Sequence, residues 1–260
     1  MIGLGVSLAR GTQTSAGFRP EASALLARFS VAAGPARQAA IAELIDTLIG
    51  GGVWGKLDAL YVLAAHDSQA ARRNWVADAF NLSAVAAPSF LTDRGYAGDG
   101  ASSYLSCGTA AGLERFTRND CHMGIWSLSN LLNSGGASQE CGNNNCTIVK
   151  ASGAGGSVVV RPNTAGGVSG APAAHFPGLI GWSRHDASNW EMFAHGASLG
   201  TRADASAALD NTDFWVCGRA AGNFGVNRIA VCHFGAALSA AEWSVMHAAL
   251  ASYLAATGAV

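Results

Sequence analysis

The amino-acid sequence predicts a mainly β protein, a sandwich of short strands with a helical segment before it and one helix after it. Between Pro88 and Phe234, hydrophobic residues recur at every second position in short runs that Gly, Asn and Pro clusters separate, as is typical of a sandwich. The 260-residue chain contains 33 glycines and only 13% charged residues, which suits tight turns and covered surfaces. Helical spacing is confined to the two ends of the sequence.

The first helices are predicted between residues 20 and 52. Pro20 and Pro35 each stand where the first residue of a helix would be. Apolar residues at 41, 44, 45, 48 and 49 form one helical face. Gly50-Gly51-Gly52 is expected to end that helix.

Two further helical segments are predicted before the sandwich. Over 53–65, Trp54, Leu57 and Leu60 fall on one side of a helix. Asp67 is expected to cap a short helix that ends near Trp75.

Seven strands are predicted within the sandwich, at 125–128, 147–149, 157–160, 179–182, 189–193, 214–217 and 228–232. Between two of them, Ala194-His195-Gly196-Ala197 is predicted to form a two-residue hairpin turn, with His in the place that Asn usually takes.

The C-terminal segment is predicted to be a helix that packs on the sandwich. Ser239-Ala240-Ala241-Glu242 matches a capping box, and an apolar stripe follows it. We therefore divide the chain into an N-terminal arm and helical region (1–85), a β-sandwich (86–237) and a C-terminal helix (238–260).

Charge and hydropathy argue against nucleic-acid and membrane partners. The net charge is −1, which gives no electrostatic attraction for nucleic acid or an anionic surface. The N-terminus has no basic region before its short apolar run, so we expect no secretory signal. The uncharged-looking stretch 243–260 contains His and Ser and is predicted to be an amphipathic helix, not a membrane span. We expect synthesis in the cytoplasm.

The six cysteines leave three alternatives open: buried free thiols, one or more disulfides, or a metal site. Cys141 and Cys146 bracket a Gly-Asn-Asn-Asn loop that could be closed by a bridge or supply half a zinc site. Cys217 and Cys232 lie on segments that resemble the arms of one hairpin, so a cross-strand pair is also possible.

Enzymatic motifs are weak, and no catalytic residue, cofactor or metal is predicted. A retaining glycosidase needs two carboxylates about 5–5.5 Å apart, but Glu191 stands alone on its strand. Gly196 to Gly200 matches the nucleophile-elbow pattern without its strand–turn–helix context. Gly50 to Lys56 resembles a phosphate-binding loop, but it follows a helix and lacks the Ser or Thr after the lysine. The histidines show no metal-binding spacing, and we expect His122 and His233 to be core or edge residues.

Several segments together carry a resemblance to a known family. They are Lys56 to Ala65, the residues Asn74-Trp75, the stretch from Asp93 to Leu105 with its Gly98-Asp99-Gly100 turn, and the closing 238–242 helix start. The chain resembles, from about residue 18 to 259, the concanavalin A-like (laminin-G-like) jelly-roll module of bacteriophage and prophage virion proteins, which include tail-fibre and receptor-binding regions.

The resemblance implies a non-enzymatic structural protein of a phage or phage-like particle, such as a fibre, spike, tail-tip or capsid-decorating subunit. It implies assembly with other virion proteins or as a homo-oligomer, a location in the virion, and contact with host-surface glycans. Because Met1 lies about fifteen residues before the module, we expect any anchoring domain to be short or absent. The alternatives are a polysaccharide-cleaving enzyme of the same fold and a standalone bacterial lectin.

A glycan site needs an aromatic ring face surrounded by hydrogen-bonding groups. The densest cluster of that kind is the segment 182–190 at a turn between strands. Its candidate residues are Trp182, Arg184, His185, Asp186, Asn189 and Trp190. The alternative is that both tryptophans fill the sandwich core and the polar residues form a solvated hairpin tip.

Overall fold

Two β-sheets packed face to face, with three helices against the outer face of one of them, make up the fold. The computed structural model describes residues 17–109, 113–129, 139–150, 157–166, 168–172, 177–219 and 222–260. The mainly β class and the C-terminal helix are confirmed. Residues 1–16 of the predicted N-terminal arm lie outside the described residues.

The helices begin and end at the residues that the sequence signals. They are α1 (Pro20–Leu26), α2 (Pro35–Gly50) and α3 (Ala240–Ala256). Proline opens α1 and α2, and Gly51 caps the end of α2. The capping box of α3 is present in both directions between Ser239 and Glu242. No helix among the described residues is long and apolar enough to cross a membrane.

The strands, in chain order, are β1 (Leu57–Val62), β2 (Ser83–Val85), β3 (Ser89–Leu91), β4 (Gly95–Ala97), β5 (Tyr104–Thr109), β6 (Cys121–Ser127), β7 (Gln139–Gly142), β8 (Cys146–Lys150), β9 (Ser157–Pro162), β10 (Val168–Pro172), β11 (Gly178–Arg184), β12 (Asn189–Ala194), β13 (Ala197–Ala203), β14 (Asp213–Val216), β15 (Gly218–Arg219), β16 (Asn223–Phe224) and β17 (Arg228–Gly235). Each of the seven predicted strands falls on one of them.

The strands form two large sheets. Sheet A has the order β13-β12-β11-β6-β17-β4-β3, with β1 also paired to β17, and sheet B has the order β10-β9-β8-β7-β14-β5-β2. The short strands β15 and β16 pair with each other. The hairpin between β12 and β13 is confirmed, because Ala194 pairs with Ala197 and both His195 and Gly196 have positive φ.

The core has two layers. One lies between the sheets and holds Trp182, Trp190, Phe214 and Phe234. The other lies between sheet A and the helices and holds side chains of α1, α2 and α3 against strands of sheet A. Sheet A is therefore covered on both faces, whereas sheet B has a covered inner face and a second face directed outward.

The helix predicted over 53–65 is wrong. A single 3₁₀ turn, Trp54–Lys56, leads into β1, which pairs with β17. Every residue of β1 is buried because both faces of sheet A are covered. A strand in that position has no alternation of polar and apolar residues, so its continuous apolar run also fits helical spacing.

The short helix after Asp67 is reduced to a 3₁₀ turn, Ala70–Arg72. The predicted cap is present, because Asp67 Oδ1 accepts hydrogen bonds from the backbone N–H groups of Gln69 and Ala70. The turn lies beside the edge strand β2 of sheet B, because the N–H of Leu82 donates to the Arg72 carbonyl at 2.8 Å.

The cysteines are six buried free thiols. Cys217 and Cys232 are not on one hairpin, because Cys217 follows β14 of sheet B and Cys232 lies on β17 of sheet A. Cys232 instead faces Cys141 of sheet B across the core, with the two sulfur atoms 3.1 Å apart. The loop between Cys141 and Cys146 is a tight hairpin in which Asn143 N–H donates to the Cys146 carbonyl at 2.8 Å.

Candidate functional site

The tryptophans of the predicted site at 182–190 are core residues. Trp182 and Trp190 are both fully buried between the sheets. The indole N–H of Trp182 donates to the Thr147 carbonyl at 3.2 Å, and that of Trp190 donates to Asp204 Oδ2 at 3.0 Å. Neither ring can offer a face to a ligand without opening the core, so the prediction of an aromatic platform here is corrected.

Arg184 is also buried and has a structural role. Its guanidinium donates to the carbonyls of Pro162 at 2.6 Å, Asp204 at 3.0 Å and Asp186 at 3.1 Å. A buried cation that satisfies its donors on backbone carbonyls holds loops together, and it has little capacity left for a ligand.

The other three predicted residues form the turn between β11 and β12. His185 and Asp186 are exposed and Asn189 is half-buried. Asp186 Oδ1 accepts the backbone N–H groups of Ser188 and Asn189, and these bonds lower the pKa of the carboxyl group. The turn is polar and self-satisfied, as the alternative interpretation of the sequence expected.

A cluster of half-buried aromatic rings lies elsewhere, on the face of sheet B opposite the core. Tyr104 and Trp215 are stacked with ring centroids 3.7 Å apart and planes inclined by 18°. Phe224 lies beside both, at 6.1 Å from Tyr104 and 6.0 Å from Trp215. All three are half-buried. We call these three residues the aromatic surface.

Strand alternation places the rings on that face. In β14, Phe214 and Val216 point into the core, so Trp215 points outward. In β5, Leu105 is in the core and Tyr104 points the other way. The sequence analysis predicted the strand of Trp215 at 214–217 and missed the site, although an aromatic residue at the non-core position of a one-sided strand is the signal that could have found it.

Glycines keep the space around Trp215 open. Its neighbour across the strand pair with β7 is Gly142, which has no side chain to cover the ring. On the other side, a Cβ atom at Gly218 would lie 3.3 Å from the ring of Trp215 and 3.5 Å from Cβ of Tyr104. A larger residue at position 218 would therefore crowd both rings.

The turn before β5 fixes the position of Tyr104, the first residue of that strand. Asp99 Oδ1 accepts hydrogen bonds from the N–H groups of Ala101, Ser102 and Ser103, which hold the pKa of this carboxyl group far below its usual range. The carboxylate of Asp99 thus closes the Gly-Asp-Gly turn, and the turn places Tyr104 on the face of sheet B opposite the core.

Polar groups border the aromatic surface. Ser106, the residue opposite Trp215 on β5, donates its hydroxyl to Asp213 Oδ2 at 2.9 Å. Arg219 follows Gly218, and burial followed by the nearby charge of Arg161 lowers the pKa of its guanidinium. Its Nε atom is buried without a hydrogen-bond partner among the described residues. The arrangement joins flat apolar rings to a hydroxyl, a carboxylate and two cations.

The other side chains that could take part in catalysis or metal binding are either buried in the core or hydrogen-bonded within the fold. His122 and His233 are fully buried, and His122 Nε2 lies 3.0 Å from His233 Nδ1. Glu191 accepts a hydrogen bond from Ser198 on the neighbouring strand. Within the described part of the chain, no group of three or more His, Cys, Asp or Glu side chains is arranged to hold a metal ion.

Comparisons with known proteins find structural similarity without sequence similarity. No family model matches the sequence, and no curated protein matches it. Domain 4 of AbnA, an extracellular GH43 arabinanase from Geobacillus stearothermophilus determined in complex with arabinotriose, superimposes with a TM-score of 0.50 and 11% identity. That match covers 74% of this chain and 98% of the domain.

Two larger proteins share the fold over part of their length. Trypanosoma rangeli sialidase in complex with 2,3-difluorosialic acid has a TM-score of 0.50 and 9% identity over 81% of this chain and 38% of the sialidase. An HCR/D mutant has a TM-score of 0.51 and 7% identity over 75% of this chain and 52% of its own. The chain thus spans about half of these proteins or less. At such identities the likeness is one of fold.

Proposed function

We propose that this protein binds carbohydrate, with the aromatic surface as its binding site. The observation that carries the proposal is the stacked pair Tyr104 and Trp215, which is half-buried on the face of sheet B opposite the core, with polar groups at its border. Exposed aromatic clusters of this kind mark binding sites more often than they mark a fold requirement.

The chemistry of a sugar ring fits this surface. One face of a pyranose or furanose presents C–H groups, which pack on a flat aromatic ring, while the hydroxyl groups at its edge need donors and acceptors. Trp215 and Tyr104 supply the rings, Asp213 supplies an acceptor and Arg219 supplies donors.

The comparisons agree with this use of the fold. The arabinanase domain that shares it was determined with a bound arabino-oligosaccharide, and the sialidase with a sialic acid derivative. They support the proposal at the level of the fold and do not locate a site in this chain. The location rests on the geometry of Tyr104, Trp215 and Phe224.

The test is a glycan-array screen followed by calorimetry with the best oligosaccharide. Trp215→Ala is expected to lower the affinity at least tenfold, which is typical of an aromatic hot spot. Phe18→Ala is the matched control, because Phe18 is a 39% exposed ring in the helical layer, away from sheet B. Equal affinity of wild type and Trp215→Ala for every bound glycan would overturn the proposal.

The finer proposal is that the protein acts as a non-enzymatic component of a phage or phage-like particle, assembled with itself or with other virion proteins and contacting host glycans. Its support is the resemblance of the segments near Lys56 and Asp93. Detection of the chain in purified particles by mass spectrometry is the expected result. Absence from particles would favour a standalone lectin, and release of reducing ends from a bound polysaccharide would favour a hydrolase.

A further inference from the structure

A small polar pocket lies at the edge of sheet B, between the 3₁₀ turn Ala70–Arg72 and the edge strand β2. Its volume is about 230 Å³. The lining residues are Gln69, Arg72, Arg73, Asn81, Leu82 and Ser83.

The amide side chains of this pocket are already engaged in the fold. Gln69 accepts the N–H of Ser30 and donates to the Arg28 carbonyl. Asn81 accepts the N–H of Asn74 and donates to Asp78. These two amides form part of the pocket wall, so the arginines are the groups that remain to bind a ligand.

Arg73 differs from its neighbours. Arg72 donates its Nε–H to the Ser68 carbonyl at 3.0 Å, whereas Arg73 Nε is buried and has no hydrogen-bond partner in the described residues. Arg73 lines the pocket, and a guanidinium group there would hold an oxyanion with the bidentate geometry that such groups favour.

The local charge points the same way. Arg72 and Arg73 line the pocket, and Arg28 lies near Arg73. The exposed carboxylate of Asp78 lies 3.6 Å from Nη1 of Arg28, accepts a hydrogen bond from Asn81 and is also near Arg73. Burial lowers the pKa of Arg28, and the charge of Arg73 lowers it further. The pocket therefore has a surplus of positive charge that an anionic ligand would neutralise.

The pocket and the aromatic surface share one face of sheet B. Ser83 of β2 is directly opposite Ser106 of β5, and Ser106 is opposite Trp215 of β14. Directly opposite residues point to the same face, and two strand spacings of about 4.8 Å separate Ser83 from Trp215, so the two backbones are roughly 10 Å apart. An oligosaccharide of a few residues spans that distance.

We infer that the Arg73 pocket binds the oxyanion of an acidic glycan, a uronate carboxylate or a sulfate ester, while a neighbouring sugar ring packs on the aromatic surface. This inference rests on the proposed carbohydrate binding and adds a charge requirement to it. The uronate carboxylate and the sulfate ester have in common an oxyanion, planar or tetrahedral, that accepts two hydrogen bonds from one guanidinium group.

The experiment compares matched charged and neutral probes by calorimetry. Oligogalacturonide is measured against its methyl ester, and sulfated dextran oligosaccharide against dextran oligosaccharide of the same length. The acidic form of at least one pair is expected to bind at least tenfold more tightly to the wild type. Arg73→Gln is expected to remove that preference and leave the affinity for the neutral form unchanged.

The control variant is Arg19→Gln, because Arg19 is an exposed arginine in α1's N-cap that pairs with Asp46. It removes the same charge from the helical layer and is expected to keep the full preference. Thermal unfolding shows whether Arg73→Gln folds as the wild type does. Arg73→Lys keeps the positive charge without the planar guanidinium group, and it is expected to retain part of the preference for the acidic probe.

A second readout does not depend on any glycan. Millimolar sodium sulfate is expected to shift the Nε–H NMR signal of Arg73 in the wild type, whereas sodium chloride at equal ionic strength is not. Equal affinity for charged and neutral probes, or a preference that Arg73→Gln leaves intact, would overturn the inference. Failure of the carbohydrate proposal looks different, since Trp215→Ala would then leave the binding of neutral and acidic probes alike unchanged.

Discussion

Sheet A and sheet B are built from similar residues but differ in what covers them. Strands β1, β6 and β11 of sheet A are buried at every position, because the helices cover one face and sheet B the other. In sheet B, β14 alternates between half-buried and buried residues. The same residue types, a tryptophan near an arginine and an aspartate, therefore form core in sheet A and an open surface in sheet B.

The contrast shows that a cluster of aromatic and polar residues in the sequence does not by itself identify a binding site. Around Trp190 the partners satisfy each other, since the indole N–H is bonded to Asp204 and Arg202 lies over the ring at 5.7 Å. Around Trp215 the ring is half-buried and stacks on Tyr104, with ring centroids 3.7 Å apart. A half-buried aromatic pair on the face of a sheet opposite the core is the sign of a candidate site.

The largest expected difference between the sheets is in the effect of removing a tryptophan. Trp182→Ala in sheet A is expected to lower the free energy of unfolding by about 3–5 kcal/mol, because it leaves a cavity between the sheets. Trp215→Ala in sheet B is expected to lower it by only about 1–2 kcal/mol, mainly from the lost stacking on Tyr104. Urea unfolding followed by circular dichroism measures both. Similar losses for the two variants would contradict the difference in burial.

The buried histidine pair makes sheet A sensitive to acid. His122 donates its Nδ1–H to the Ala236 carbonyl, which leaves Nε2 to accept from His233. Burial lowers the pKa of His122 to about 4 and that of His233 well below its ordinary value. Both side chains are thus neutral in the folded protein at neutral pH.

The sign of the pH effect follows from this lowering. The unfolded chain binds more protons than the folded one between pH 6.5 and 4, so stability falls as the pH falls through that window. His122 alone contributes a loss of about 3 kcal/mol across it. The free energy of unfolding in urea at pH 7, 6 and 5 checks the prediction. His122→Gln is expected to reduce the dependence to the part that His233 contributes, and His185→Gln, at an exposed site, is the control. A flat wild-type profile would be the contrary result.

Two aspartates, one on each sheet, allow a matched comparison of smaller changes in the free energy of unfolding. Asp58 on β1 is buried and accepts the backbone N–H groups of Glu114, Arg115 and Phe116 at 2.7–3.1 Å. Asp58→Asn loses part of that capacity and is expected to cost about 1.5–3 kcal/mol. Asp213→Asn on sheet B keeps an acceptor for Ser106 and is expected to change stability by at most about 0.5 kcal/mol. A larger loss for Asp213→Asn would mean that its carboxylate supports the sheet.

Much of the fold was predictable from local signals. Proline and glycine mark the ends of α2, the capping box marks α3, and period-two runs mark the strands of the sandwich. The sequence failed at 53–65 because burial on both faces of sheet A removes the alternation that distinguishes a strand from a helix. The error comes from tertiary packing, which local patterns do not contain.

The candidate site was less predictable for a related reason. Trp182 points between the two sheets, whereas Trp215 points to the opposite face of its sheet. Which of the two orientations a tryptophan takes depends on how the sheets pack, and the sequence does not state this. Arg73 was not identified for another reason, since it comes to line one pocket with Arg72 only after the 3₁₀ turn and β2 have packed. Sequence position alone shows only one more arginine after a short turn.

The smallest expected effect concerns the thiols at the boundary between the two sheets. Cys141 and Cys232 face each other there, and the structure keeps them as free thiols. Burial raises the pKa of Cys107 to about 12, and the pKa of Cys141 is raised by its bond to Cys232 and by burial. Because the reactive form of cysteine is the thiolate, fewer than one thiol per chain is expected to react with a disulfide reagent in the native protein at pH 8. All six are expected to react in urea. Only four reactive thiols in urea would mean that Cys141 and Cys232 are bridged, and rapid reaction of the native protein would mean that the two sheets separate more readily than their packing indicates.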